Sequence, residues 1–288
     1  MNGILMRNMF FVAPLMLPVI VFWLFPFICS IYVSFTDWDY ISPSYHFVGL
    51  ENYTSMMDDG DFSDALINTV IFSLGTVLPT TLLGLFLALL LRDKIMGGNF
   101  YRAVIFSPWI TPTVAVSIVW TWVFSSKNGL VNSLLSLMGF SPIAWLEQGN
   151  SAMFVVIVVT VWQSVGWTML FYINALGKIP DSLYEASMID GCSKMTRLLR
   201  ITLPLISPTT FFLIIINLIN SLAAFDQFQM LTQGGPSGKT RTLFYLYFQQ
   251  AFERYDMGPA AATSLVIVII TATLVMINAY IGKRWVYY

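Results

Sequence analysis

A few polar side chains stand inside long apolar stretches of this 288-residue chain, where they cost the most. Asn217, Asn220 and Ser221 share one stretch; at helical spacing 217 and 221 lie on one face, with 220 beside them. Thr160, Trp162, Gln163, Ser164 and Trp167 fall in a second stretch, and Trp109, Thr111 and Thr113 open a third. Amides and hydroxyls exchange hydrogen bonds with the hydroxyls of a sugar, and an indole offers its ring a flat apolar face. The same groups also serve as glue between membrane helices, bonding across small-residue contacts. The sequence leaves both roles open.

Other chemistries fail on inventory. The single histidine, His46, lies in a loop, and Cys29 and Cys192 sit in an apolar span and a polar loop, so no metal site, catalytic constellation or disulfide framework is expected. Gly234-Gly-Pro-Ser-Gly-Lys-Thr240 imitates a phosphate-binding loop but is one residue short between its glycines and follows no strand. It reads as a Gly/Pro turn, so this chain should bind no cofactor. A net charge of −1 gives no reason to expect nucleic acid.

These residues need helices in lipid to hold them. The chain is 57% hydrophobic and 10% charged, with mean hydropathy +0.74. Soluble domains carry about 25% charge, so an all-α integral membrane protein is expected. Six windows approach the roughly 20 apolar residues of a span: about 9–35, 66–91, 102–124, 151–176, 206–230 and 259–282. The first is too long for a signal peptide core, carries Pro14, Pro18 and Pro26, and lacks a small-residue cleavage site, so it reads as a retained helix.

Basic residues orient the spans. One set of loops holds Arg7, Arg92, Lys94, Arg102, Lys178, Lys194, Arg197, Arg200, Lys283 and Arg284; the other holds only Lys127, Lys239, Arg241 and Arg254. Ten against four places both termini and the 177–205 loop in the cytoplasm, with the acidic 36–65 loop outside. The expected division is 1–65, a helix and external loop; 66–284, a five-span core with a 177–208 loop; and a short tail, 285–288.

That cytoplasmic loop is polar and charged between two apolar spans. Pro180-Asp-Ser182 looks like a helix start, and Ser182 and Glu185 have capping-box spacing. Leu183, Ala186, Ser187 and Ile189 continue a short helix, which Gly191 should end. A second helix is expected over 193–200, with Pro204 and Pro208 breaking the chain after it. Two such helices could lie at the membrane interface or form an elbow fitting a cleft in a cytosolic protein.

Here a resemblance enters. Glu185, Ala186, Gly191, Ile201, Leu203 and Pro204 match the EAA loop of ABC importer permeases, with Ser187 in place of the usual second alanine. Phe100–Trp109, Gly129–Asn132, Trp145-Leu146 and Leu231–Pro236 resemble the carbohydrate-uptake permeases of the maltose and glycerol-3-phosphate type, most closely their first permease subunit. The resemblance runs over 66–284 and implies a type I importer fold with six transmembrane helices.

It also implies a second permease, two ATPase subunits, an extracytoplasmic solute-binding protein and surrounding lipid as partners. The loop would couple to the ATPases through Glu185, Ala186, Ser187, Asp190, Gly191, Ile201, Leu203 and Pro204. The family's solute pocket maps onto Trp109, Thr113, Thr160, Gln163, Ser164, Trp167, Asn217, Asn220 and Ser221. The first span would wrap around the partner permease or face lipid.

No Lys or Arg lies at mid-depth in any span, which favours a neutral sugar or oligosaccharide over a glycerol phosphate unless the partner supplies the charge. Asp226 stands at the outer end of span five, either at an external gate or as an interfacial acid. An ion-coupled transporter would need more intramembrane carboxylates than this one.

Overall fold

The structure is a computed structural model that describes residues 12, 14–92 and 96–285. Arg7, Lys94 and residues 286–288 of the expected tail lie outside the described residues. The described residues are helical, without a strand; one isolated bridge pairs Thr36 with Phe47.

Among the described residues, four helices are long and apolar enough to cross a membrane: α1 (Pro14–Val33), α3 (Gly60–Leu91), α7 (Gly149–Gly177) and α13 (Met257–Trp285). Shorter helices α2 (Glu51–Asp58) and α6 (Leu130–Leu137) lie between them. The expected third and fifth spans are not single helices. The third is α4 (Gly98–Ile110) and α5 (Thr113–Val123), bent by 98°. Pro112 forces its predecessor out of the helical region, and Thr111 is extended at φ −75°, ψ 132°. The fifth stops early: α10 (Ser207–Leu222) ends before Phe225, and α11 (Asp226–Leu231) starts anew. With each bent pair taken as one span, the described residues hold up to six.

The 177–208 loop forms α8 (Asp181–Ile189) and α9 (Lys194–Leu205), the latter bent by 66° against α10. Pro204 does not stop α9, contrary to expectation. A π turn over Leu198–Thr202 centres on Arg200, the residue four before Pro204, whose carbonyl the proline ring would otherwise strike. The same arrangement recurs in α1, where Ile20–Leu24 is a π turn and Pro26 follows its central residue by four. After α11 come α12 (Leu243–Phe248) and a third π turn, Gln249–Glu253.

The chain packs as two compact units, one of Met1–Phe62 with Leu246–Ile269, the other of Ser63–Tyr245 with Ile270–Tyr288. Residues 246–269 thus pack with the N-terminal segment. In this first unit Asn52 Nδ2 donates to the carbonyls of Ser34 (2.9 Å) and Thr36 (2.8 Å), and Tyr53 Oη donates to Ser34 Oγ at 2.7 Å. The Gly258 amide donates to Trp38 O (3.0 Å), and a Cβ at Gly258 would run into Thr36 O.

The turn between Thr36 and Phe47 in this unit is held by Asp37. Its carboxylate accepts the His46 N–H at 2.5 Å, which lowers its pKa from the ordinary 3.8. A depressed carboxylate contributes its stabilisation above the ordinary pKa and loses it as pH falls through the lower folded value. Protection of the His46 amide from exchange, relative to its unfolded rate at each pH, should be high at neutral pH and fall below the ordinary value of 3.8. Asp37→Asn should abolish that acid dependence; unchanged acid dependence would refute the assignment.

The second unit has two apolar clusters. One gathers Phe72, Val155, Val156, Val159, Phe228 and Tyr245; the other gathers Ala88, Met169, Tyr172, Leu176, Ile206 and Leu213. Helices approach closely where side chains vanish: Gly75 faces Ile157, Gly84 faces Thr168, and Gly166 faces the Ile105 carbonyl and Phe106 Cα.

Candidate functional site

A cavity of about 400 Å³ opens within the second unit, between the two apolar clusters. Four elements wall it. The α4–α5 break contributes Trp109, Ile110, Thr111, Pro112 and Thr113; α7 contributes Thr160, Gln163 and Ser164; α10 contributes Asn217, Asn220 and Ser221, followed by Ala224 and Gln227. Thr76, Val77 and Thr80 of α3 complete it. Eight of the nine expected pocket residues therefore meet at one wall, though they span more than a hundred positions in sequence. No charged side chain lines it.

Trp167 is the exception. Its ring stacks beneath Trp109 with centroids 5.4 Å apart and planes 26° from parallel, and its other neighbour is Phe171 at 4.5 Å. Trp167 supports the indole that faces the cavity; it does not line the cavity itself.

The polar atoms differ in what they have left to offer. Thr76 and Thr160 donate to the carbonyls four residues back, Phe72 and Val156, each at 2.7 Å. Ser221 donates to Leu218 O at 2.8 Å and lies 2.9 Å from Ser73 Oγ. These hydroxyls offer lone pairs to the cavity. Gln163 is buried, and its Nε2 donates to Thr111 O (3.2 Å) and Thr113 Oγ1 (3.3 Å), spanning the helix break. Asn217 is only 8% exposed, yet its Nδ2 has no hydrogen-bond partner. An unsatisfied buried donor costs about 1–3 kcal/mol; Asn217 lines the cavity, but this nitrogen has almost no exposed surface, so the side chain must turn for it to meet an acceptor there.

Sequence reasoning missed Thr76, Val77 and Thr80. A signal was present: Thr69, Ser73, Thr76 and Thr80, with Asn68 beside the first, recur every three to four residues through an otherwise apolar span. The N-terminal part of that stripe binds the segment 238–243. Asn68 Nδ2 donates to the carbonyls of Gly238 and Arg241, both at 3.0 Å, and Thr69 Oγ1 accepts the Leu243 amide. The glycine-rich segment 234–240 is accordingly a folded turn. Thr240 Oγ1 bonds Gly235 O and Thr232 Oγ1 (2.7 Å each), and Lys239 sits 3.8 Å from Asp64. Asp226 is exposed at the first turn of α11, while its neighbour Gln227 reaches the cavity.

The second candidate site is the loop 177–208. Helix α8 starts at Asp181 after Pro180, with no side-chain cap, so the expected capping box of Ser182 and Glu185 does not form. Ser182 lies inside the first turn, too late to act as N-cap. The cap occurs one helix later: Ser193 Oγ accepts the Thr196 amide at 3.2 Å at the start of α9.

Gly191 behaves as expected. At φ +71° it is the C′ residue of a Schellman motif, with Cys192 N–H bonded to Ser187 O (2.9 Å) and Gly191 N–H to Met188 O (3.1 Å). Glu185, Ala186, Asp190 and Gly191 are exposed, together with Ile189 at 87% exposure. Ser187 is buried, its Oγ donating to Tyr184 O, and Ile201, Leu203 and Pro204 are partly buried. Half of the expected coupling residues thus form an exposed face, and half seat it.

Known proteins fit this architecture. The sequence profile described as "Binding-protein-dependent transport system inner membrane component" matches residues 80–287. A probable ABC transporter permease of Bacillus subtilis, YurN, is 33% identical over 90% of this chain and 91% of its own length. The trehalose/maltose permease MalF of Thermococcus litoralis is 32% identical over 94% of this chain and 92% of its own. The sn-glycerol-3-phosphate permease UgpA of Escherichia coli is also 32% identical, over 93% and 90%.

Among solved structures, a chain of a bacterial alginate ABC transporter, crystallised with an alginate pentasaccharide-bound periplasmic protein, superposes with TM-score 0.84. The superposition covers 96% of both chains at 20% identity, a likeness of fold: the all-helical type I ABC importer permease architecture. With the profile spanning most of the chain and these relatives nearly all of it, the chain belongs to the family of binding-protein-dependent transport system inner membrane components.

Proposed function

We propose that this chain forms half of the translocation path of an ATP-driven importer for a neutral sugar or oligosaccharide. The observation that carries the reading is the uncharged cavity with the unpartnered Asn217 donor, the indole of Trp109 and hydroxyl acceptors around it. No cation lines the wall to pair with a glycerol phosphate, and only the first turns of α5 at Thr113 and α11 at Gln227 offer helix N-termini there. The relatives' named solutes, trehalose or maltose in one and sn-glycerol-3-phosphate in another, bracket the choice.

The path works by alternating access between two gate states. A second permease completes it, two ATPase subunits holding ATP and Mg drive it, and a solute-binding protein delivers the solute outside. Both termini and loop 177–208 are cytoplasmic, with the exposed face of α8 docked on an ATPase. Catalysis resides in the ATPases, and this chain is a multi-pass membrane subunit.

The test is ATP-dependent uptake by the reconstituted complex, with neutral disaccharides and oligosaccharides competing against glycerol phosphate. Neutral solutes should enter and the anion should not compete. Uptake by this chain alone without ATP, or uptake of the anion only, overturns the reading. Asn217→Leu sharpens the test. It should raise the solute KM about tenfold through loss of one buried hydrogen bond. It should leave thermal stability equal or higher, because the donor it removes has no partner in the empty cavity.

A further inference from the structure

The exposed face of α8 has to move something. Its inner face carries Tyr184, half-buried against the cluster of Ala88, Leu91, Leu176, Ile179 and Ile206. Tyr184 Oη lies 3.1 Å from Oγ1 of Thr202, which is buried in α9, so one side chain joins the two halves of the loop. Over the ring sits the guanidinium of Arg92, with Cζ 4.3 Å from the centroid. Arg92 Nη2 also lies 3.9 Å from Asp181 Oδ1 at the start of α8.

Arg92 directly follows α3, the helix whose Thr76, Val77 and Thr80 face the cavity, roughly 18 Å away along the axis at about 1.5 Å per residue. The last carbonyl of α3, Leu91 O, is fixed from the other side by Arg102 Nη2 at 2.5 Å. The two contacts of Arg92 are unequal. Asp181 is 89% exposed and its long ion pair is screened by water, whereas the Arg92 side chain is 24% exposed and its stacking on Tyr184 is partly desolvated.

We propose that Arg92 is a positioning residue: stacked on Tyr184, it locks α8 to the cytoplasmic end of α3 and carries displacement of the coupling helix to the cavity wall. A sliding contact at this point would let the ATPases close without moving Thr76 and Thr80. A rigid ring–guanidinium stack, backed by Tyr184–Thr202, makes the loop and α3 one body. The inference rests on the reading of 177–208 as the ATPase-docking loop.

The whole complex in proteoliposomes tests it, with uptake and ATP hydrolysis measured in the same vesicles. Arg92→Gln should leave the ATPase subunits bound and hydrolysing while solute imported per ATP falls about fivefold or more, the scale of a broken linkage. Arg92→Lys keeps a cation over the ring and should recover much of that ratio; Tyr184→Phe keeps the ring but not the Thr202 contact and should fall between. Uptake and hydrolysis falling in parallel in Arg92→Gln would mark a merely structural role, and an unchanged ratio would mark none; either overturns the proposal. Docking is read separately, by co-purification of the ATPases with Glu185→Lys. Undisturbed binding there overturns the docking reading, while the Arg92 ratio still decides whether loop and span move as one.

Discussion

Replacing Gly191 with valine is expected to lower ATP-dependent uptake at least about tenfold, with this chain still present in the membrane. The residue sits at φ +71° with nothing within 4 Å of where a Cβ would stand, so the obstacle is the backbone alone. An L-residue in the left-handed region costs roughly 1–2 kcal/mol, and a β-branched one is a genuine outlier there. Escape to the ordinary region would break both Schellman bonds, to Ser187 O and Met188 O, and redirect the chain into α9. Glu185, Ala186 and Ile189 would then leave the geometry proposed to face an ATPase. About 1.4 kcal/mol corresponds to a tenfold change in equilibrium.

The substitutions should rank by their tolerance of that conformation: Gly191→Asn near the parent, Gly191→Ala intermediate, Gly191→Val lowest. Co-purified ATPase and uptake, measured side by side, check the order. Full activity in the valine variant would mean that this turn does not set the docking surface.

Gly166→Leu should act through assembly of the cavity. A Cβ at 166 would fall onto the Ile105 carbonyl, with Phe106 Cα 2.7 Å away, both backbone and unable to rotate aside. Helices α4 and α7 would have to separate. Overpacking of this kind costs about 1–3 kcal/mol and more where backbone must shift. The same displacement pulls the α4–α5 break from Gln163, whose two bonds across it are already 3.2 and 3.3 Å long. A lower melting temperature and loss of uptake should therefore appear together. Gly177, which has open space around its Cβ, is the matched control, and Gly177→Ala should change neither. A Gly166→Leu protein of parental stability would refute the close packing.

Much of this was legible in the chain. Local rules predicted Gly191 as a helix end, because a glycine at C′ is a backbone requirement needing no distant neighbour. They failed for Ser182 and Glu185, since capping spacing fits several start points and Pro180 moved the first turn ahead of Ser182. They failed for Pro204, because a π turn inserted at Arg200 makes room for its ring. Thr76 and Thr80 were passed over because single hydroxyls in a span usually bond their own helix, as Thr76 does to Phe72 O. Only their position opposite Gln163 and Asn217 makes them a wall.

By itself the sequence determined the class of molecule. With 10% charged residues and six apolar windows the chain belongs in lipid, and the Glu185–Pro204 pattern marks one loop among those windows as the part matching an importer family. These are properties of composition and of short spacing, which a chain carries before it folds. The tertiary structure decided what each polar group is for. Trp109 and Trp167 look alike in sequence, yet one faces the cavity and the other stacks beneath it. Gln163 and Asn217 are both buried amides, yet one has both its donor contacts across the helix break and the other has a nitrogen without a partner. Hydrogen-bond satisfaction depends on which distant segments come within about 3 Å, and that distance exists only after α3, α4, α7 and α10 have packed together.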